Sequence, residues 1–225
     1  MKKYILSPLF APIFTLNTWL VFVCVLFVFY SDSLTDLLSE DGVLEKTTNF
    51  FYLPLLLALI FFCKPFMQNK KSKIEYGLYI FLSLAAFLRE QGIQHWLTTT
   101  DTTAFKSRFF LNPNNPLEEK IVAGFLLILF ASVLVYFAKN YAHHLIKTFF
   151  QMNTLTWSIA TLCTWGVFIK FVDRFPSNYK KYMDTPLPAD IKVNLNLIEE
   201  TGEMFLPVIA AIILGQYWLL HKKEN

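Results

Sequence analysis

Residues 119–138 read EKIVAGFLLILFASVLVYFA. After Lys120 no charged side chain appears until Lys139. An uncharged run of that length, about 20 residues, spans a hydrocarbon core of about 30 Å when wound as an α-helix. A helix is demanded there because a bilayer offers no partner to an open backbone N–H or C=O. Five more apolar stretches stand at 11–30, 45–63, 75–95, 154–173 and 200–219. The six together account for most of the apolar content of a 225-residue chain that is 55% hydrophobic and carries 24 Phe. Little remains for a water-soluble domain. The composition therefore describes an all-α polytopic integral membrane protein, a single six-helix domain over 1–225, and excludes disorder, coiled coil and a Cys-stapled secreted fold. The first run follows Lys2 and Lys3 as a signal peptide would, but no small-residue cleavage site follows Tyr30, so it reads as a retained span.

The formal net charge of +3 conceals a segregation between the joining segments. Segments 1–12, 64–75, 139–153 and 220–225 hold Lys2, Lys3, Lys64, Lys70, Lys71, Lys73, Lys139, Lys147, Lys222 and Lys223, half of the 20 Lys and Arg, against the acids Glu75 and Glu224. The other side holds the remaining ten bases and 15 of the 17 carboxylates, which makes the faces +8 and −5. Positive-inside bias then places both termini in the cytoplasm and turns the loops 31–44, 96–118 and 174–199 outward.

Cys24, Cys63 and Cys163 all fall within spans, with no C-x-x-C and no pair in an outward loop, so they read as buried, space-filling thiols. His143, His144 and His221 lie on the cytoplasmic side and only His95 stands near the outer boundary, which argues against a zinc site, and no cofactor motif is present. The loop 96–118 contains the turn Asn112-Pro113-Asn114-Asn115-Pro116, and the loop 174–199 carries Pro176, Pro186 and Pro188; both are candidate lids. In the first of these, Phe105, Phe109 and Phe110 interleave with Lys106 and Arg108, a pattern that suits rings in the acyl boundary and cations on lipid phosphate. The same residues do not suggest nucleic acid, because the loop faces away from the cytoplasm.

The outward helix ends are rich in ionisable and polar groups. Glu45 stands at the edge of the second span with Asn49 about 6 Å deeper, and Asp41, Glu45, Asn49 and Tyr52 share a helical face. Arg89 and Glu90 lie about 10 Å below the outer surface of the third span, with His95 near that surface. The fifth span ends Lys170-Phe171-Val172-Asp173-Arg174 and the sixth begins Glu199-Glu200-Thr201-Gly202-Glu203. Charges at such depth are costly unless paired or wetted. Two readings follow from these residues: a shared outward-facing polar cavity formed by Glu45, Asn49, Arg89, Glu90, His95, Lys170, Glu200 and Glu203, or interhelical ion pairs of Arg89 and Lys170 with Glu90 and Glu203 that fix packing. Gly42, Gly92 and Gly202 each stand within two residues of a carboxylate, and Pro54 and Pro207 kink two of the helices near this level.

Glu45-x3-Asn49 at the start of a span is similar to the first conserved helix of the ceramidase and adiponectin-receptor superfamily of intramembrane metal hydrolases. The S-x-x-x-H and H-x-x-x-H elements that carry that family's zinc are missing, so no metal is implied. Glu40-Asp41-Gly42-x2-Glu45, Arg89-Glu90-x4-His95, Phe105-Lys106-x-Arg108-Phe109-Phe110 and Glu199-Glu200-x-Gly202-Glu203 resemble a group of small uncharacterised bacterial inner-membrane proteins. That resemblance implies a multi-pass location in the bacterial inner membrane and no activity. The expected function is to bind or pass a lipid headgroup or small polar solute at the outward cavity, with membrane lipids as partners. The alternatives are an intramembrane hydrolase or transferase using Glu and His95, and a non-catalytic subunit of a homo-oligomer or larger membrane complex. On an ideal helix Glu90 and His95 point about 140° apart, so they form no dyad with each other.

Overall fold

Nearly the whole chain winds into helix, and among the described residues there is no strand. The computed structural model describes residues 2–30, 34, 38, 43–100 and 102–222, without the side chains of residues 2, 43, 45 and 46. The elements are α1 (Lys2–Ile5), α2 (Phe10–Tyr30), α3 (Val43–Phe61), α4 (Lys70–Glu90), α5 (Ile93–Trp96), α6 (Ser107–Leu111), α7 (Leu117–Phe149), α8 (Thr154–Met183) and α9 (Ala189–His221), with a 3-10 turn at Lys64–Met67. Among the described residues, α2, α7, α8 and α9 are long and apolar enough to cross a membrane, and Thr47–Phe61 within α3 is a shorter apolar helix. Helix α4 is less apolar because Lys70, Lys71, Lys73 and Glu75 open it and Arg89 and Glu90 close it.

Local chemistry sets the ends. Asn69 caps α4 by accepting from the Ser72 N–H at 2.8 Å, and Asn153 caps α8 by accepting from the Leu155 and Thr156 N–H groups at 3.1 and 3.2 Å. Helix α4 stops at Glu90 because Gly92 takes the left-handed conformation (φ 74°), and its N–H closes the last turn on the Arg89 carbonyl at 3.0 Å. The expected continuous helix over 75–95 is therefore broken. Apolarity marks the membrane-length part of a helix and says nothing about where hydrogen bonding ends in water. Accordingly α8 continues past 173 to Met183 and α9 begins at Ala189 rather than 200. The expected loop 174–199 shrinks to residues 184–188, where Asp184 adopts φ 52° and Pro186 and Pro188 mark the turn.

The chain divides into two compact units, Met1–Gln68 with Phe149–Asn225, and Asn69–Thr148. In the first, α9 is central and packs on α8, α3 and α2. Its core gathers Trp19 and Leu26 of α2, Leu34, Leu44 of α3, and Leu197, Met204 and Phe205 of α9. Gly202 lets α9 approach α8 closely: a Cβ there would lie 2.9 Å from Ile169 Cγ1, and the Gly202 carbonyl accepts from Trp165 Nε1 at 2.9 Å. Trp19 stands edge-on to Trp165 and donates to Thr201 Oγ1 at 3.1 Å. Toward the end of α9, the fully buried Gln216 accepts from Ser158 Oγ at 2.6 Å and donates to the Ile5 carbonyl at 2.8 Å. Thr154 donates to the Leu6 carbonyl at 2.6 Å beside it, so the N-terminal segment is tied to α8 and α9. Cys24 and Cys163 are exposed and Cys63 half-buried, in place of the buried thiols expected. On a membrane-length helix the surface that faces outward is itself apolar, so hydropathy does not separate it from the core.

In the second unit, α4 and α7 meet through long side chains, with Tyr79 stacked on Phe137 at 4.9 Å. Helix α4 has no fully buried residue. A separate small core joins Ala104 and Phe109 to Ala123 of α7, with Leu97, Phe105 and Phe110 packed on it.

Candidate functional site

The close approach of α8 and α9 at Gly202 sets the geometry one residue further along each helix. Lys170 follows Ile169 on α8 and Glu203 follows Gly202 on α9, and their charged ends stand 3.5 Å apart. Lys170 Nζ also donates to Asp173 Oδ2, one turn on, at 3.0 Å. Glu199 lies one turn before Glu203 on the same face of α9. It interacts electrostatically with Asp173, Glu203, Lys170 and Glu200. Burial is uneven: the Glu203 side chain is 11% exposed, whereas Lys170 is 49% and Asp173 39% exposed. Asp173, Glu199 and Glu203 thus gather around the ammonium of Lys170, with Glu200 at the margin, and Lys170 and Asp173 are the more exposed members of the group. Such an arrangement can receive a cationic group on the acids while Lys170 turns to an anionic one. The ion pair itself, half-exposed, contributes about 1 kcal/mol or less to stability.

The other expected site residues are distributed as follows. Glu200 lies half-buried on α9 beside the cluster. Asn49 is half-buried on α3 with Tyr52 buried one turn below. The backbone of Glu45 belongs to α3, while its side chain, and Asp41 entirely, lie outside the described residues. Glu45, Asn49, Lys170, Glu200 and Glu203 belong to the first unit and Arg89, Glu90 and His95 to the second. Arg89 Nη2 stands 3.5 Å from Glu90 Oε1, its own neighbour in sequence, and Glu90 is the more buried partner. His95 is exposed on α5, beyond the break at Gly92, and among the described residues its ring has no side-chain hydrogen bond or ion pair. Among the described residues, no group of three or more His, Cys, Asp or Glu side chains is arranged to hold a metal ion.

The loop after His95 departs from the expected interfacial pattern. Phe109 is fully buried, Phe105 and Phe110 pack on it, and Lys106 and Arg108 are exposed. The rings turn inward because a polar scaffold closes the loop on itself. Buried Asn115 donates to the Phe109 carbonyl at 2.7 Å and accepts from Thr100 at 2.7 Å, and Thr99 donates to Glu119 Oε1 through both N–H and Oγ1, at 3.1 and 2.7 Å. The Thr-rich run 98–103 and the Asn-Pro turn were the available signal, since short hydroxyl and amide side chains hydrogen-bond locally. A second cluster carries less sequence signal. Glu75 accepts from Tyr141 and, at 3.5 Å, from Tyr136 of α7, and its other neighbour is Lys71 at 3.8 Å. Only its position as an acid in an otherwise basic segment sets it apart.

A groove of about 370 Å³ lies along α1 and the start of α2, lined by Tyr4, Ser7, Phe10, Phe14, Asn17 and Thr18 among others. It is at the other end of the first unit from Lys170, because Leu6 is tied to Thr154, and Thr154 is about 24 Å along α8 from Lys170.

Four helices of membrane-crossing length and apolarity among the described residues mark a multi-pass membrane protein, with a charged cluster where two of those helices meet. No protein family, curated protein or solved structure shows significant similarity to the chain.

Proposed function

We propose that the protein is a six-span bacterial inner-membrane protein with both termini in the cytoplasm, and that the Lys170–Glu203 cluster is an outward-facing site for a small zwitterionic group, a lipid headgroup or a free polar solute. Helices α3 and α4 serve as the second and third spans in this reading. The segregation of lysines to the terminal side supports the orientation. The observation that carries the site is the geometry at Lys170, one ammonium held between Asp173 at 3.0 Å and the nearly buried Glu203 at 3.5 Å, with Glu199 adding to the acid excess. An ammonium end of a ligand replaces Lys170 on Glu203 and Glu199, and the phosphate or carboxylate end takes the freed Lys170. Phosphoethanolamine carries one group for each role, an ammonium and a phosphate, and as a lipid headgroup it reaches the site from the outer leaflet.

Native mass spectrometry of the purified protein in mixed phosphatidylethanolamine and phosphatidylglycerol tests this. Retention of phosphatidylethanolamine over phosphatidylglycerol, lost in Glu203→Gln and in Lys170→Met, is expected. Free phosphoethanolamine, added as a competitor, distinguishes a soluble solute from a lipid. Equal retention of both lipids, unchanged by either substitution and by the competitor, rejects the site.

A further inference from the structure

Helix α2 buries Ala11, Thr15, Trp19 and Leu26 within the first unit. The opposite side of the helix presents Phe10, Ile13, Asn17, Leu20, Cys24 and Phe27, which repeat every seven residues as the a and d positions of a heptad. All of these except half-buried Phe10 are exposed. Asn17 is the one amide in the stripe. It lies about 10 Å along a helix that carries no charged residue from Phe10 to Tyr30. Its side chain is exposed, and among the described residues it has no hydrogen-bond partner. Lipid tails supply neither donor nor acceptor, so an amide at this depth calls for a partner that supplies both.

We propose that this stripe of α2 is the interface of a parallel homodimer within the membrane, held by a hydrogen bond between the Asn17 amides of two copies. A carboxamide is self-complementary, one copy donating its N–H to the carbonyl oxygen of the other. Two copies of one chain insert in the same orientation, so their α2 helices pair in parallel about a two-fold axis along the membrane normal, and each a position meets its own equivalent. A single Asn at an a position fixes that register, because any slip separates the two amides and leaves both unmet. The groove of about 370 Å³ beside Phe10, Phe14 and Asn17 lies at the head of the stripe, where it receives side chains of the second copy. Cys24 is the next a position, so the two Cys24 thiols face each other one heptad from the paired amides. None of this depends on the Lys170 cluster.

Copper–phenanthroline oxidation of membranes containing the full chain, together with the mass of the purified protein in detergent, tests the interface. The expected result is a dimer mass and a disulfide-linked dimer that Cys24→Ser abolishes and Cys163→Ser does not. Asn17→Leu is expected to raise the dimer dissociation constant about tenfold. Asn17→Gln, which keeps the amide, retains most of the dimer. Both variants change an exposed side chain, so helix content by circular dichroism stays at the parent level. A monomeric mass without a Cys24 cross-link overturns the proposal, as does a dimer equally tight in Asn17→Leu. Loss of co-purifying phospholipid from a monomeric Asn17→Leu, relative to a monomeric parent, assigns the stripe to lipid instead and likewise overturns it.

Discussion

Gly202 is the residue on which the α8–α9 contact turns. A methyl group there meets Ile169 Cγ1 at 2.9 Å, closer than real Cβ contacts come, beside the carbonyl that receives Trp165. Gly202→Ala is therefore expected to cost about 1–3 kcal/mol through overpacking. A lowered melting temperature in detergent is the readout. Adding Ile169→Val trims the colliding side chain and recovers part of the loss; no recovery means that the contact does not govern stability. The neighbouring Lys170–Glu203 pair is a different kind of contact, because half-exposed charges add little stability. Glu203→Gln should leave the melting temperature close to that of the parent while changing ligand retention. Both residues were visible in the sequence, Gly202 beside a carboxylate and Lys170 as a cation near a span end. An ion pair of Lys170 with Glu203 was one of the two readings of the sequence; the close approach of α8 to α9 at Gly202 was not legible, because helical spacing relates residues on one helix and carries no information about which face another helix meets.

At the scale of elements, helix ends were the least legible feature, and Gly92 shows why. The hydropathy of the sequence runs the third span through it to residue 95, whereas in the structure it is a left-handed terminator, with φ 74°. Gly92→Ala places a Cβ on a left-handed residue, with room beside it, since the nearest heavy atom is His95 Cδ2 at 3.8 Å. The cost is then backbone strain alone, about 1–2 kcal/mol. Gly92→Asn, which tolerates that conformation better, is expected to lose less, and an order of stability with Ala above Asn by thermal melting contradicts the assignment. The polar continuations of α8 and α9 illustrate the same limit. Residues 174–183 and 189–199 are polar enough to resemble a loop, yet Pro186 and Pro188 alone mark the turn. A Lys-, Asn- and Glu-rich helix satisfies its own backbone just as an apolar one does, so polarity does not mark its end.

For the whole molecule, orientation is the property that follows most directly from charge. Lys192 is exposed in the polar first part of α9, and Gln216, which donates to the Ile5 carbonyl, lies toward the other end of the same helix. With Cys24, Cys63 and Cys163 replaced by Ser, Lys192→Cys is expected to react with a membrane-impermeant maleimide in intact cells. Asn153→Cys, ahead of α8 at the other end, reacts only after permeabilisation. The reverse pattern inverts the topology. Composition and hydropathy by themselves determined that the chain is helical and membrane-embedded, because ~20-residue uncharged runs have no other way to satisfy their backbone in hydrocarbon. Charge segregation likewise determined the expectation of orientation, since it depends on counts and not on contacts. Tertiary structure alone decided that α9 is the centre of the first unit, that Gly202 sets α8 against α9, and that the aromatic residues of the loop after His95 turn inward onto Ala123. Those outcomes depend on which surfaces exclude each other at distances of a few ångströms. In a chain where nearly every helical face is apolar, hydropathy cannot distinguish the face that meets a helix from the face that meets lipid.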